Sequence, residues 1–111
     1  MADPRGLMKI EHNGKTYTLE MNFGVLADLE DRHGESFEAM TGGDKPLRMR
    51  LVVDTVCLSL MEGTPDLDEA EARRIARKVA SVDVFTALVK QAFPDATVEQ
   101  AGNGAGPQKA A

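Results

Sequence analysis

Residues 44–62, DKPLRMRLVVDTVCLSLME, are the most apolar stretch of the chain, and their reading decides the fold. Leu47, Met49, Leu51, Val52, Val53, Val56, Cys57, Leu58, Leu60 and Met61 recur at i, i+3, i+4 and i+7 from several starting points. That is the pattern of a helix covered on most sides. Asp44 suits its N-cap and Pro46 its first turn, where a missing N–H costs nothing. Gly63, Thr64 and Pro65 stop it. Its polar residues form a thin stripe: Arg48, Thr55, Ser59 and Glu62 fall on one line, while Arg50 and Asp54 make an i,i+4 ion pair on roughly the opposite side. A charged pair cannot sit in a dry core without cost. It belongs either at the rim of the core or on a surface that another molecule covers, with Val53 on the core side.

Upstream, Met8 to Glu11 and Thr16 to Met21 alternate apolar with polar, and Asn13-Gly14 between them favours a type I′ hairpin. A two-residue turn there sets Ile10 opposite Tyr17 and Met8 opposite Leu19, all on one face. Two strands alone are marginal in water, so that face lies on helices or meets strands of another copy, and the unpaired strand edges offer a docking mode. Asn22 is the next N-cap, with Met21 and Leu26 at the positions of a hydrophobic staple. In the helix that follows, Phe23, Val25, Leu26 and Leu29 face inward, Asp28 and Arg32 pair on the wet side, and Gly34 makes a left-handed stop. Ser36 to Met40 reads as one helical turn anchored by Phe37, and Thr41-Gly42-Gly43 as a loop.

Downstream, Asp68 caps a helix with Glu71 at the capping-box position. Ala72, Ile75, Ala76 and Val79 form its narrow inward stripe, and Arg73, Arg74, Arg77 and Lys78 suit the negative end of its dipole. Ser81 caps a last helix whose Val82, Phe85, Leu88, Val89 and Phe93 face inward, and Pro94 ends it. The fold class is α+β: an N-terminal β-hairpin followed by a small bundle of about four helices. One domain at 7–94 lies between a flexible start at 1–6 and a Gly/Ala-rich disordered tail at 95–111.

Composition narrows the function. A chain of 111 residues, 42% apolar, suffices for one core. A net charge of −5, no Trp and one Tyr disfavour nucleic acid, whose binding rests on clustered cations and aromatic stacking. No run approaches the about 20 apolar residues that span a bilayer, and the first residues lack the apolar core of a secretory signal. The expected setting is cytoplasmic, in keeping with a lone cysteine. His12 and His33 stand on different elements and Cys57 alone in an apolar helix, so no metal set forms. His33 suits a helix's C-terminal dipole, and Cys57 reads as a small buried hydrophobe. The acidic cluster at Asp66, Asp68, Glu69 and Glu71 is explained by helix capping, and the glycines at 102, 104 and 106 lack the strand and helix of a phosphate loop. No catalytic constellation, metal or cofactor is expected.

One resemblance stands beside this reading. Gly14, Tyr17 and Leu19, followed by Phe23, Gly24, Leu26, Leu29, Glu30 and Gly34, resemble the "G-x-x-Y-x-L … F-G-x-L-x-x-L-E-x-x-x-G" opening of the small phage tail assembly chaperones of tailed phages, prophages and gene transfer agents. The order of elements from about Ile10 to Phe93 is similar as well. The resemblance implies a non-enzymatic protein that holds the tape measure protein while tail tube subunits polymerise around it, then leaves. It implies a homo-oligomer, with the tape measure protein and the tail tube protein as partners. A structural component retained in the particle, or a small regulatory binding protein, are the alternatives. Tyr17 and Leu19 on the hairpin, with Arg50 and Asp54 on the central helix, are the candidate protein interface; that the four only hold the monomer together is the competing reading.

Overall fold

Asn13 and Gly14 both carry positive φ, 54° and 79°, as a type I′ turn requires. In the computed structural model, which describes residues 7–42 and 46–93, this turn joins β1 (Met8–His12) to β2 (Lys15–Leu19). The antiparallel register is the one expected, with Ile10 facing Tyr17 and Met8 facing Leu19. Five helices follow: α1 (Phe23–His33), α2 (Phe37–Thr41), α3 (Met49–Gly63), α4 (Glu69–Val79) and α5 (Val82–Ala92). The expected starts at 1–6, the loop residue Gly43, the N-cap Asp44, the end at Pro94 and the tail at 95–111 lie outside the described residues.

Local chemistry fixes most boundaries. Asn22 Oδ1 accepts from the Val25 N–H at 3.0 Å, Ser36 Oγ from Ala39, Asp68 Oδ1 from Glu71 and Ser81 Oγ from Val84. Each satisfies one of the orphan donors of a first helical turn. Gly34 ends α1 in the left-handed region, φ 70°, its N–H donating to Glu30 O at 2.8 Å.

The central helix departs from expectation at its start. It begins at Met49, not near Asp44, and its N-cap Arg48 makes no side-chain capping bond. Pro46 is exposed and precedes the helix, while Leu47 packs on the core from a non-helical lead-in. Core contact, and not capping chemistry, thus sets where α3 begins. From Leu51 to Leu60 every residue but Val53 is buried, and α3 touches β2, α1, α4 and α5. The ends of its expected polar stripe, Arg48 and Glu62, are exposed, but the middle is interior: Thr55 and Ser59 are both fully buried. The Thr55 hydroxyl donates to Leu51 O at 2.7 Å and that of Ser59 to Met21 Sδ at 3.7 Å, which satisfies them locally.

The C-terminal end of α3 locks the hairpin. Thr64 Oγ1 accepts from the Thr18 N–H at 3.0 Å and donates to Thr18 O at 2.9 Å, and Ser59 O accepts from the Glu20 N–H at 3.0 Å. The outer edge of β2, expected to be open, is therefore closed by a helix end. The approach is so close that a Cβ at Gly63 would strike the Thr18 carbonyl.

Two residues assigned inward turn out to face solvent. Phe23 is 70% exposed, with its ring 5.9 Å from that of Phe93, and Val82 is 50% exposed. Both occupy the first helical position beside a cap, where the chain has not yet turned its stripe onto the core. No helix among the described residues is long and apolar enough to cross a membrane.

Candidate interaction site

Three helices bring charge to one place. His33 lies in the last turn of α1, Asp54 near the middle of α3, and Glu69, Arg73 and Arg77 at i, i+4 and i+8 along α4, which puts them on one face. Asp54 is 5% exposed, and both of its oxygens are occupied: the His33 Nε2–H donates to Oδ2 at 2.9 Å and Arg73 Nη1 to Oδ1 at 2.9 Å. Because a carboxylate only accepts, the bond assigns the proton to that ring nitrogen. Arg73 continues to Glu69 at 3.4 Å, and Glu69 accepts from Arg32 at 3.0 Å.

This arrangement corrects the reading of Asp54 and Val53. Asp54 was expected to pair with Arg50 one turn away; it pairs instead with residues of α1 and α4 and is interior, while Val53 is half-buried at the surface groove. The physical reason is desolvation. A carboxylate withdrawn from water needs donors on both oxygens, and the His33 ring and the Arg73 fork supply them where α1 and α4 converge on α3. Arg32 likewise meets Glu69 across helices and not the expected Asp28.

Of the four candidate interface residues, Tyr17 is 8% exposed, Leu19 0% and Asp54 5%. All three serve the subunit's own packing: Tyr17 and Leu19 lie in the hydrophobic core, and Asp54, at the wall of the surface groove, is engaged by His33 and Arg73. Arg50 alone remains on the surface.

Around Arg50 an open groove of about 850 Å³ runs between α1, α3 and α4, lined by Arg32, His33, Met49, Arg50, Val53, Asp54, Glu69, Arg73 and Arg77. Four arginines against two acids make it locally cationic in a chain of net charge −5. Arg32 and Arg73 are spent on Glu69 and Asp54, whereas Arg50 and Arg77 have no ion-pair partner among the described residues. Arg74 and Lys78 extend the positive surface along α4. Met49, 59% exposed, and Val53 add an apolar strip. Sequence reading took the α4 cations only as complements to a helix dipole; the signal for the groove was their double i,i+4 spacing, Arg73 with Arg77 and Arg74 with Lys78.

The electrostatics follow from these contacts. The hydrogen bond from Arg32, reinforced by Arg73, holds the Glu69 carboxyl below its ordinary range. Asp54 pushes the Arg73 guanidinium up, against the opposing effect of burial. Burial raises the thiol of Cys57, which is fully enclosed, as expected of a small hydrophobe. A raised, enclosed thiol is a poor nucleophile. No group of three or more His, Cys, Asp or Glu side chains among the described residues is placed to hold a metal ion. The groove is suited to binding: two guanidiniums without an ion-pair partner among the described residues present bidentate donors to carboxylates beside an apolar strip.

No protein-family model, curated protein or solved structure matches this chain.

Proposed function

We propose that the chain is a non-catalytic assembly chaperone of the phage tail type, which holds the tape measure protein while tail tube subunits assemble. In this reading it works in the host cytoplasm, associates with itself and is absent from the finished particle. The observation that carries the reading is the groove between α1, α3 and α4, where Arg50 and Arg77, without an ion-pair partner among the described residues, flank exposed Met49 and half-buried Val53. A helical client segment with acidic residues a turn away from an apolar anchor fits such a surface, which is the helix-in-groove mode of recognition.

The residues that resemble the family opening support the proposal in a second way. Gly14 and Gly34 sit at positive φ, and Tyr17, Leu19, Leu26 and Leu29 are buried. They build a scaffold, and a scaffold leaves its binding work to the surface it presents. Co-expression with the tape measure protein of the same tail cluster tests the proposal: the two should copurify, and the chain should be missing from purified particles by mass spectrometry. Failure to copurify would refute the chaperone role, and presence in particles would favour a retained structural component.

A further inference from the structure

The self-association in the proposed function leaves open which surface is used, and the hairpin supplies one. In a hairpin closed by a two-residue turn, the residues flanking the turn exchange backbone hydrogen bonds, and alternate residues along each strand then turn theirs outward. With His12 facing Lys15 beside the turn, the outward groups of β1 are those of Lys9 and Glu11, and of β2 those of Thr16 and Thr18. The Thr18 groups bond to Thr64, as this phase demands. The Lys9 and Glu11 groups meet no backbone partner among the described residues, and the sheet ends at β1. The mass of the bundle is centred on the other strand, because α3 lies against β2 and closes its edge.

We infer that two copies of this chain pair through β1, antiparallel and centred on Ile10, to make a four-stranded sheet in the order β2-β1-β1-β2. Outward-bonding residues must face one another across such a junction, and three registers pair the Lys9 and Glu11 groups with those of the second copy alone. Pairing Lys9 with Lys9, or Glu11 with Glu11, sets like charges opposite each other, which destabilises a sheet. Only the register about Ile10 sets each Lys9 against the second copy's Glu11, twice per pair, and it is also the register in which all five residues of β1 find partners. A lone lysine blunts a strand edge. A lysine two residues before a glutamate on the same exposed face does the opposite, since a two-fold axis between them makes the edge self-complementary. On the other face, half-buried Met8, Ile10 and His12 meet their counterparts and extend the apolar floor beneath the helices.

Charge reversal tests the register. Lys9 and Glu11 are exposed, so Lys9→Glu, Glu11→Lys and the double exchange should all fold alike by circular dichroism. In sedimentation equilibrium each single reversal should weaken the dimer about tenfold, because two attractive pairs become repulsive. The double exchange, which restores every unlike pair, should recover the wild-type constant. Ile10→Cys adds a direct reading: at a non-hydrogen-bonded position the two Cα atoms approach within disulfide range. Mild oxidation should therefore link two chains, with the fully buried Cys57 a bystander. A wild-type chain that stays monomeric at the highest concentration, single reversals that associate normally, or a double exchange that stays weak would overturn the inference. Client capture run on the same variants separates the two readings, since a monomer that still captures the tape measure protein sinks only the β1 pairing, and a dimer that captures nothing sinks only the chaperone role.

Discussion

Replacing Asp54 with alanine is the sharpest probe of how the three helices are held together. The substitution removes two charge-assisted hydrogen bonds, to His33 and to Arg73. The partners fare differently. Arg73 is 34% exposed and keeps Glu69, so it turns to water at small cost, whereas the His33 side chain is 6% exposed and is left with an unsatisfied donor. Stranding such a donor costs about 1–3 kcal/mol, and breaking a buried charged pair about 3–5 kcal/mol. The partial exposure of Arg73 places Asp54→Ala near the lower bound, about 2–4 kcal/mol. The assay is urea unfolding followed by far-ultraviolet circular dichroism, with the midpoint falling and the slope unchanged. Arg50→Ala, which removes a side chain without a described ion partner, should stay within about 0.5 kcal/mol of wild type. A double-mutant cycle with Arg73→Met should return a coupling of about 0.5–3 kcal/mol. An Asp54→Ala chain that unfolds with the wild-type midpoint would refute the network, and would return Asp54 to the surface role its sequence spacing suggested.

Three further outcomes follow from the geometry. Gly63→Ala forces a methyl group into the Thr18 carbonyl and should cost about 1–3 kcal/mol in denaturant melts, which a Gly→Ala change at an open helical site would not. Val53→Asp, at the half-buried groove beside Arg50 and Arg77, should still give a cooperative melt, while Leu51→Asp, 1% exposed, should abolish folding through an unpaired buried charge. Glu69 has a folded pKa below its unfolded one, so its ion pairs stabilise the fold above the unfolded value of about 4.3 and the contribution disappears as pH falls through the lower folded value. Acid titration of Glu69→Gln should accordingly lose less stability below about pH 4.3 than wild type.

What could be read from the sequence was whatever short-range chemistry determines. Asn13-Gly14 fixes the turn and with it the register of the hairpin, and Asn22, Asp68 and Ser81 each announce a helix start through a side chain that reaches its own first turn. The start of α3 was not legible, since no cap marks it and Leu47 meets the core before the helix begins. Asp54 was misassigned for a related reason. The i,i+4 rule sees Arg50 on the same helix but is blind to His33, 21 residues before, and Arg73, 19 residues after. The groove was not legible because its walls come from three helices, nor was the burial of Thr55 and Ser59, whose partners are a backbone carbonyl and a methionine sulfur.

In the proposed function the client sits in the cationic groove. Arg50 and Arg77 line it without an ion partner among the described residues, so Arg50→Glu/Arg77→Glu should leave the melting temperature nearly unchanged while inverting the local charge. Copurification of this variant with the tape measure protein measures the claim directly. Capture should be lost in the variant, and raising the salt should weaken capture by the wild-type chain, because screening acts on the same charges; capture at the wild-type level after the reversal would contradict it.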